Sequence, residues 1–227
     1  MPGVEVFSRI NLGKETVKGT AVARTRRFYG VAAGNLGIGD QLNFHEPENR
    51  GSRVRVSAHA PTVTRNMPTL KLQMSDGVGY DDLVIPFSMG LQGGRTGVGG
   101  AADKTWTFTQ PSTGAGSYES FSADIGDDTQ NWILDYVMPT RWQIATEFGE
   151  KTTFEADCFA QEAVKGAAST PAEVNPILIP ADLWTVKFAA TFAGLAGASV
   201  QTNFLRTWSF EYETGIKNRF YMDGNLF

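Results

Sequence analysis

Between Thr207 and Thr214 the chain reads Thr-Trp-Ser-Phe-Glu-Tyr-Glu-Thr. Trp208, Phe210 and Tyr212 fall on one side of an extended backbone, and Thr207, Ser209, Glu211 and Glu213 on the other. A period of two belongs to a strand with one buried and one wetted face, because successive side chains point to opposite faces of a sheet. The wetted face here is acidic. Similar alternation recurs at residues 52–58, where Arg53 and Arg55 alternate with Val54 and Val56, at 70–74, and in Thr105-Trp-Thr-Phe-Thr109. Residues 4–10 also read as extended, and 21–29 carry the basic cluster Arg24, Arg26 and Arg27. Residues 132–137, 142–146 and 152–159 read as consecutive antiparallel strands, with Phe148-Gly149-Glu150 at the last hairpin turn. Trp184, Val186 and Phe188 form one more apolar face.

Turn chemistry separates these runs. Residues 13–20 and 111–116 are polar and turn-rich, and residues 30–40 are punctuated by glycine. In Glu46-Pro-Glu-Asn-Arg-Gly51, Pro47 fixes φ and Gly51 permits positive φ. Residues 163–176, rich in Ala, Ser, Thr and Pro, read as a linker. The helix candidate is 82–92. Asp81 or Asp82 would cap it, Pro86 is tolerated only in its first turn, and Gly93-Gly94 would end it. Leu83, Phe87 and Leu91 lie at i, i+4 and i+8, a stripe that fits against a sheet. If Pro86 marks the start, the helix is barely two turns long. The glycine-rich run 90–100 has no large apolar side chain after Leu91 and reads as a mobile loop or arm.

Many short strands with one helix predict a mainly β chain: a two-sheet antiparallel β-sandwich or partly closed barrel, one short flanking α-helix and a long Gly-rich loop, in a single domain over 1–227. Length and composition agree, since 227 residues can bury a full core and 25 glycines suit a turn-rich β protein. A net charge of −4 argues against a protein that holds nucleic acid by neutralising phosphates. Cys158 is the only cysteine, so no internal disulfide forms. Glu5 and Arg9 stand where a signal peptide needs an apolar run, and the apolar stretch 188–200 is too short to span a bilayer, so no membrane anchor is expected.

Catalytic motifs are not evident. The glycines of 90–100 follow a helix instead of preceding one, lack a Gly-Lys-Ser/Thr ending, and include Arg95 as their only cation; a flexible loop is the better reading than a phosphate cradle. His45 and His59 sit in no metal-ligand spacing, and Cys158 alternates into a predicted strand face as a small buried hydrophobe. Asp124, Asp127 and Asp128 lack the EF-hand spacing, and acidic turn residues are common. The five tryptophans, Trp106, Trp132, Trp142, Trp184 and Trp208, fall mostly where alternation predicts core instead of exposed sugar-stacking platforms. No nucleophile elbow is present. The chain is expected to be a non-enzyme with no cofactor and no metal.

Several motifs stand in order along most of the chain: Gly13-Lys-Glu-Thr16 followed by Gly19-Thr20-Ala-Val22 and Arg26-Arg27; Glu48-Asn-Arg-Gly51; Tyr80-Asp-Asp-Leu83 entering the helix that ends at Gly90-Leu-Gln-Gly93; Thr105-Trp-Thr-Phe-Thr109 with the strands through Phe159; and residues 208–213 followed by Tyr221-Met-Asp-Gly224. Together they resemble the major tail tube proteins of long-tailed bacteriophages, especially those with non-contractile, siphophage-type tails. The resemblance implies two packed sheets and a flanking helix, assembled as stacked hexameric rings that conduct genomic DNA into the host without specific binding. It also implies partners, namely other copies of the chain and the tape measure, tail terminator and tip proteins. The place implied is the virion tail, after assembly in the host cytoplasm.

Charge bears on that expectation. Duplex DNA carries one negative charge per roughly 1.7 Å of axis, so a basic lumen would hold it and an acidic one would let it slide. The candidate acidic lumen face is Glu155, Asp157, Glu211 and Glu213; candidate inter-subunit contacts are Arg24, Arg26, Arg27, Gly93, Gly94, Arg95 and Gly97. Arg24, Arg26 and Arg27 read equally as a solvated basic turn. Two other classes stay open: a carbohydrate-binding β-sandwich or glycosidase, and another ring-forming tail or secretion-tube component. Finally, residues 217–222 read as a strand and Asp223-Gly224 as a hairpin turn with only Asn225-Leu226-Phe227 after it. Tail tube relatives often continue past such a turn, so a shortened member or a fragment is expected.

Overall fold

The computed structural model describes residues 9–28, 36–37, 42–45, 62–65, 67–74, 77–80, 82–93, 98–99, 104–109, 118–126, 130–172, 177–200 and 206–217. The expected strand at 52–58, the turns at 46–51 and 111–116, and the segment 218–227 lie outside them. In chain order the strands are β1 (Arg9–Lys14), β2 (Arg26–Phe28), β3 (Leu36–Gly37), β4 (Leu42–His45), β5 (Thr62–Arg65), β6 (Thr69–Met74), β7 (Gln92–Gly93), β8 (Val98–Gly99), β9 (Lys104–Thr105), β10 (Phe108–Thr109), β11 (Phe121–Gly126), β12 (Asn131–Glu147), β13 (Thr153–Phe159), β14 (Glu162–Lys165) and β15 (Thr207–Glu213). One helix, α1 (Val84–Gly90), lies between β6 and β7.

β12 is the spine. Its first half pairs with β11 and β14, and its second half with β13 and β15, all antiparallel. Two layers therefore share one strand: β2, β1, β11, β12 and β14 in the first, β15, β12, β13, β6 and β3 in the second. Among the described residues the strand path ends at β2 and β3, so the sheet is open and does not close into a barrel. A single apolar cluster draws on both layers, with Ile10, Leu12, Phe121, Ala123 and Leu134 from the first and Leu70, Leu72, Met74, Trp142, Ile144 and Phe154 from the second.

Residues 132–137 and 142–146 were expected to be separate strands, and Pro139 lies between them. They are one strand of 17 residues. Proline has no N–H to give to a ladder, but at a bulge none is needed. The register slips between Pro139 and Arg141, and Thr214 ties this point down by donating from Oγ1 to Pro139 O (2.8 Å) and from its N–H to Thr140 O (3.0 Å). A second slip falls between Phe121 and Ala123, where Asp135 and Tyr136 together oppose Ser122. Tyr136 has φ +51°, a costly left-handed conformation for an aromatic residue.

Glu15 holds that corner. Its buried carboxylate accepts the Tyr136 N–H (2.8 Å) and Ser122 Oγ–H (3.0 Å) on Oε1, and the Gly19 N–H (2.8 Å) and Ser120 Oγ–H (2.5 Å) on Oε2. Four donors compensate the loss of water around the charge. A second buried carboxylate, Asp124, accepts Asn11 Nδ2 (2.6 Å), the Ser169 N–H (2.9 Å) and Arg24 Nε (3.2 Å). Asn11 Nδ2 also reaches Ser169 O at 3.0 Å. The described part of the expected linker, residues 163–172, is accordingly not free: β14 joins the spine, and Ser169 is fastened to the outside of the first layer.

The helix is shorter than the expected 82–92 at both ends. Pro86 sits in its first turn, as anticipated, but no side chain caps it; Asp82 pairs with Arg26 instead. Phe87 meets Trp142 edge-on with ring centroids 5.1 Å apart. Gly90 is fixed by packing, because a Cβ there would run into the indole Nε1 of Trp142. Trp184, Val186 and Phe188, expected on a strand, lie in no named element; Trp184 instead stacks edge-on with Trp208 and donates Nε1–H to Thr152 Oγ1 at 2.8 Å. Cys158 is buried in the core, and desolvation pushes its thiol well above the usual range.

Glu15→Gln puts an amide N–H₂ against backbone donors, and we expect it to lower unfolding free energy by about 3 kcal/mol in denaturant titration, the scale of leaving buried donors unmatched. Asp135, beside Glu162 and Glu15, has its carboxyl pKa raised above the ordinary 3.8, chiefly by burial. A raised carboxylate pKa disfavours the folded state at neutral pH, and the penalty fades as pH falls through the folded value. Asp135→Asn keeps an acceptor for the Glu162 N–H, so it should melt higher than the natural chain at pH 7 and lose that advantage near about pH 3.

Candidate functional site

The outward face of the second layer follows from strict alternation on four neighbouring strands. Leu70, Leu72 and Met74 of β6, Phe154, Ala156 and Cys158 of β13, and Trp142 and Ile144 of β12 turn into the core. Their alternates turn outward, and antiparallel pairing aligns them in rows. Lys71, Asp157, Arg141 and Glu213 form one row across β6, β13, β12 and β15; Gln73, Glu155, Gln143 and Glu211 form the next. All four residues read as a candidate acidic face are thus brought onto one surface. Sequence alternation gave each strand's outward side, but only the register places β15 beside β12.

Two ion pairs cross this face diagonally and a third runs directly across one row. Lys71 Nζ lies 2.6 Å from Glu155 Oε1, Arg141 Nε pairs with the Glu211 carboxylate, and Arg141 Nη1 is 3.8 Å from Asp157 Oδ2. Arg141 Nη2 also donates to Gln143 Oε1 at 3.2 Å. The hydrogen bond to Glu155 chiefly raises the Lys71 pKa, and that to Glu211 raises the Arg141 pKa. Both cations therefore stay charged across the physiological range. Four carboxylates against two cations leave a net charge of −2 (4 − 2) in these two rows. Glu213 faces Arg141 in register but has no ion-pair partner among the described residues.

The candidate contact residues lie elsewhere. Arg24 is engaged within its own chain by Asp124, with its side chain only 13% exposed, and Arg26 bonds Asp82 at 3.3 Å. Arg27 sits on β2 opposite Asn11. Gly93 belongs to β7 and pairs with Phe108, while β8 pairs with β9. Gly94, Arg95 and Gly97 lie outside the described residues, as do Asp127, Asp128 and His59. Asp124 is consumed by its three donors, and among the described residues no group of His, Cys, Asp and Glu could hold a metal ion. No helix among them is long and apolar enough to cross a membrane.

Sequence reasoning missed two features. Glu15 lay in a polar turn with no local pattern to mark it as buried, because three of its four donors come from residues 105 to 121 positions away. The other is an apolar groove of about 680 Å³ beside β15, lined in part by Phe87, Trp184, Trp208, Phe188 and Phe210. Phe188 is 68% and Phe210 48% exposed. Alternation assigned both to a core.

No family model matches the sequence, and no curated protein matches it. Among solved structures, a chain of the anti-feeding prophage baseplate, determined by cryo-electron microscopy with six-fold symmetrisation, is similar over 74% of this chain and 97% of that one, with 11% identity and a TM-score of 0.39. A likeness at that TM-score carries no argument about fold or function.

Arg141 is the hub of the outward face. Arg141→Gln leaves Lys71 as the only cation among four carboxylates, so the variant should melt lower than the natural chain at low salt. Added salt screens exposed charges, so the gap should close by about 0.5 M.

Proposed function

We propose that this protein is the structural subunit of a phage tail tube, joining other copies head to tail into hexameric rings that stack into a conduit for DNA. The observation that carries the reading is the outward face of β6, β13, β12 and β15: net acidic, free of large apolar side chains in its two charged rows, and backed by the core. Turned toward a channel, such a face repels phosphates and keeps its own water, so DNA would pass without being gripped. The edges support the same reading. Among the described residues β15 pairs only with β12, and β3 covers β6 only at Thr69 and Leu70. Open edges invite pairing with another chain, and a rotationally repeated edge-to-edge contact closes into a ring. The sequence resemblance supplies the ring size and the stacking, with tape measure and tail terminator proteins as the remaining partners.

Electron microscopy of the concentrated protein tests this directly. We expect closed rings that stack into tubes with an open channel, and no measurable duplex DNA binding at physiological salt by fluorescence anisotropy. A protein that stays monomeric with and without other tail components, or binds duplex tightly with steep salt dependence, would sink the proposal. Rings that never lengthen would point to a capping component.

A further inference from the structure

On the outward face the two ends of the four charged strands, β15 and the part of β6 beyond the Thr69–Leu70 stretch that β3 covers, are chemically unlike. β15 presents Glu211 and Glu213 on that face with no cation, while β6 presents Lys71 and Gln73 with no acid. Joining β15 to β15 would crowd four carboxylates at one seam, and joining β6 to β6 would face lysine with lysine. Only the unlike junction is complementary.

Strand direction favours the same junction. β15, β12, β13 and β6 are each antiparallel to the next, so the first and last of these four run in opposite directions. A rotated copy can therefore place its β15 against β6 and continue the antiparallel alternation without being inverted. An odd number of strands would not allow this. The charged row continues as well: reading Lys71, Asp157, Arg141, Glu213 across one copy gives plus, minus, plus, minus, and the next copy begins again with plus.

Resting on the ring reading above, we infer that Lys71 on β6 of one copy and Glu213 on β15 of the next form the ion pair that sets the register of the subunit junction. Glu213 is suited to this because Arg141 is engaged by Asp157 and Glu211. Lys71 has three donors, and its bond to Glu155 uses one. The side chains of Lys71 and Glu213 project from the same face, so a junction slipped by one residue would turn one of them into the core layer.

Charge reversal tests the pair. Lys71→Glu alone and Glu213→Lys alone each place like charges at every junction, and the concentration needed for assembly should rise about tenfold or more by sedimentation. Mixing the two variants one to one should restore assembly, because copies that alternate around the ring bring opposite charges together at every seam. At one seam both partners are the substituted side chains, and at the next both are the natural Lys71 and Glu213. The double reversal in one chain should restore assembly too. Thermal melts establish that each variant is folded. Should Lys71→Glu fold poorly beside Glu155 and Asp157, Lys71→Gln and Glu213→Gln replace it: each should weaken assembly, and the double Gln variant should be no worse than either single one. Folded single reversals that assemble like the natural chain, or a mixture and a double variant as poor as the singles, overturn the pairing while leaving rings of the natural chain standing. A natural chain that forms only two-fold dimers overturns both the pairing and the ring.

Discussion

One strand belongs to two sheets, and it can do so only because a buried carboxylate meets it at the bend. β12 changes partners from β11 and β14 to β13 and β15 around Tyr136, a residue held in a backbone conformation that aromatic residues rarely adopt. Glu15 accepts the N–H that the bulge leaves without a ladder partner. Its other three hydrogen bonds fix the 15–19 turn and the start of β11 to the same point. Glu15 thus holds the point at which the strand passes from the first layer to the second.

Beyond the bend, the second layer is kept strictly two-sided. Trp142, packed by Phe87 edge-on and by Phe210 and Tyr212 at tilted angles, fills the inner side, and α1 closes over it so tightly that position 90 admits no side chain. The outer side carries charge without any large apolar group in its two charged rows. A two-residue period makes this separation rigid: every core contact on β12 and β13 also fixes where an outward carboxylate or guanidinium stands.

Alternation made the strands β6, β13 and β15 legible, together with the Glu147–Glu150 turn, where Gly149 takes φ +85°. It also gave the outward side of Glu155, Asp157, Glu211 and Glu213. What it could not give was adjacency, because β15 reaches its place beside β12 across some sixty residues of intervening chain. That β12 runs unbroken through Pro139 was not legible, because a proline is at home in a bulge and bulges leave little trace in composition. Residues 163–172 were misread because their small side chains suit a linker, while their anchor is a main-chain group of Ser169 that carries no sequence signal. Phe188 and Phe210 are apolar yet substantially exposed, and hydrophobicity alone does not distinguish a core from a surface that another molecule covers.

The knot of Asn11, Asp124 and Ser169 also bears on how the chain acquires its structure. Asn11 is bonded to residues 113 and 158 positions further along, so the first strand waits for most of the chain before its polar side is satisfied. During synthesis a buried Asp124 is without its full set of donors until Ser169 has left the ribosome. Contacts this distant carry a large loop-closure cost and slow the search for the native pairing. The first layer is thus completed late, as a cooperative event, and the early chain has little reason to commit to a stable sheet before the later segment can lock it.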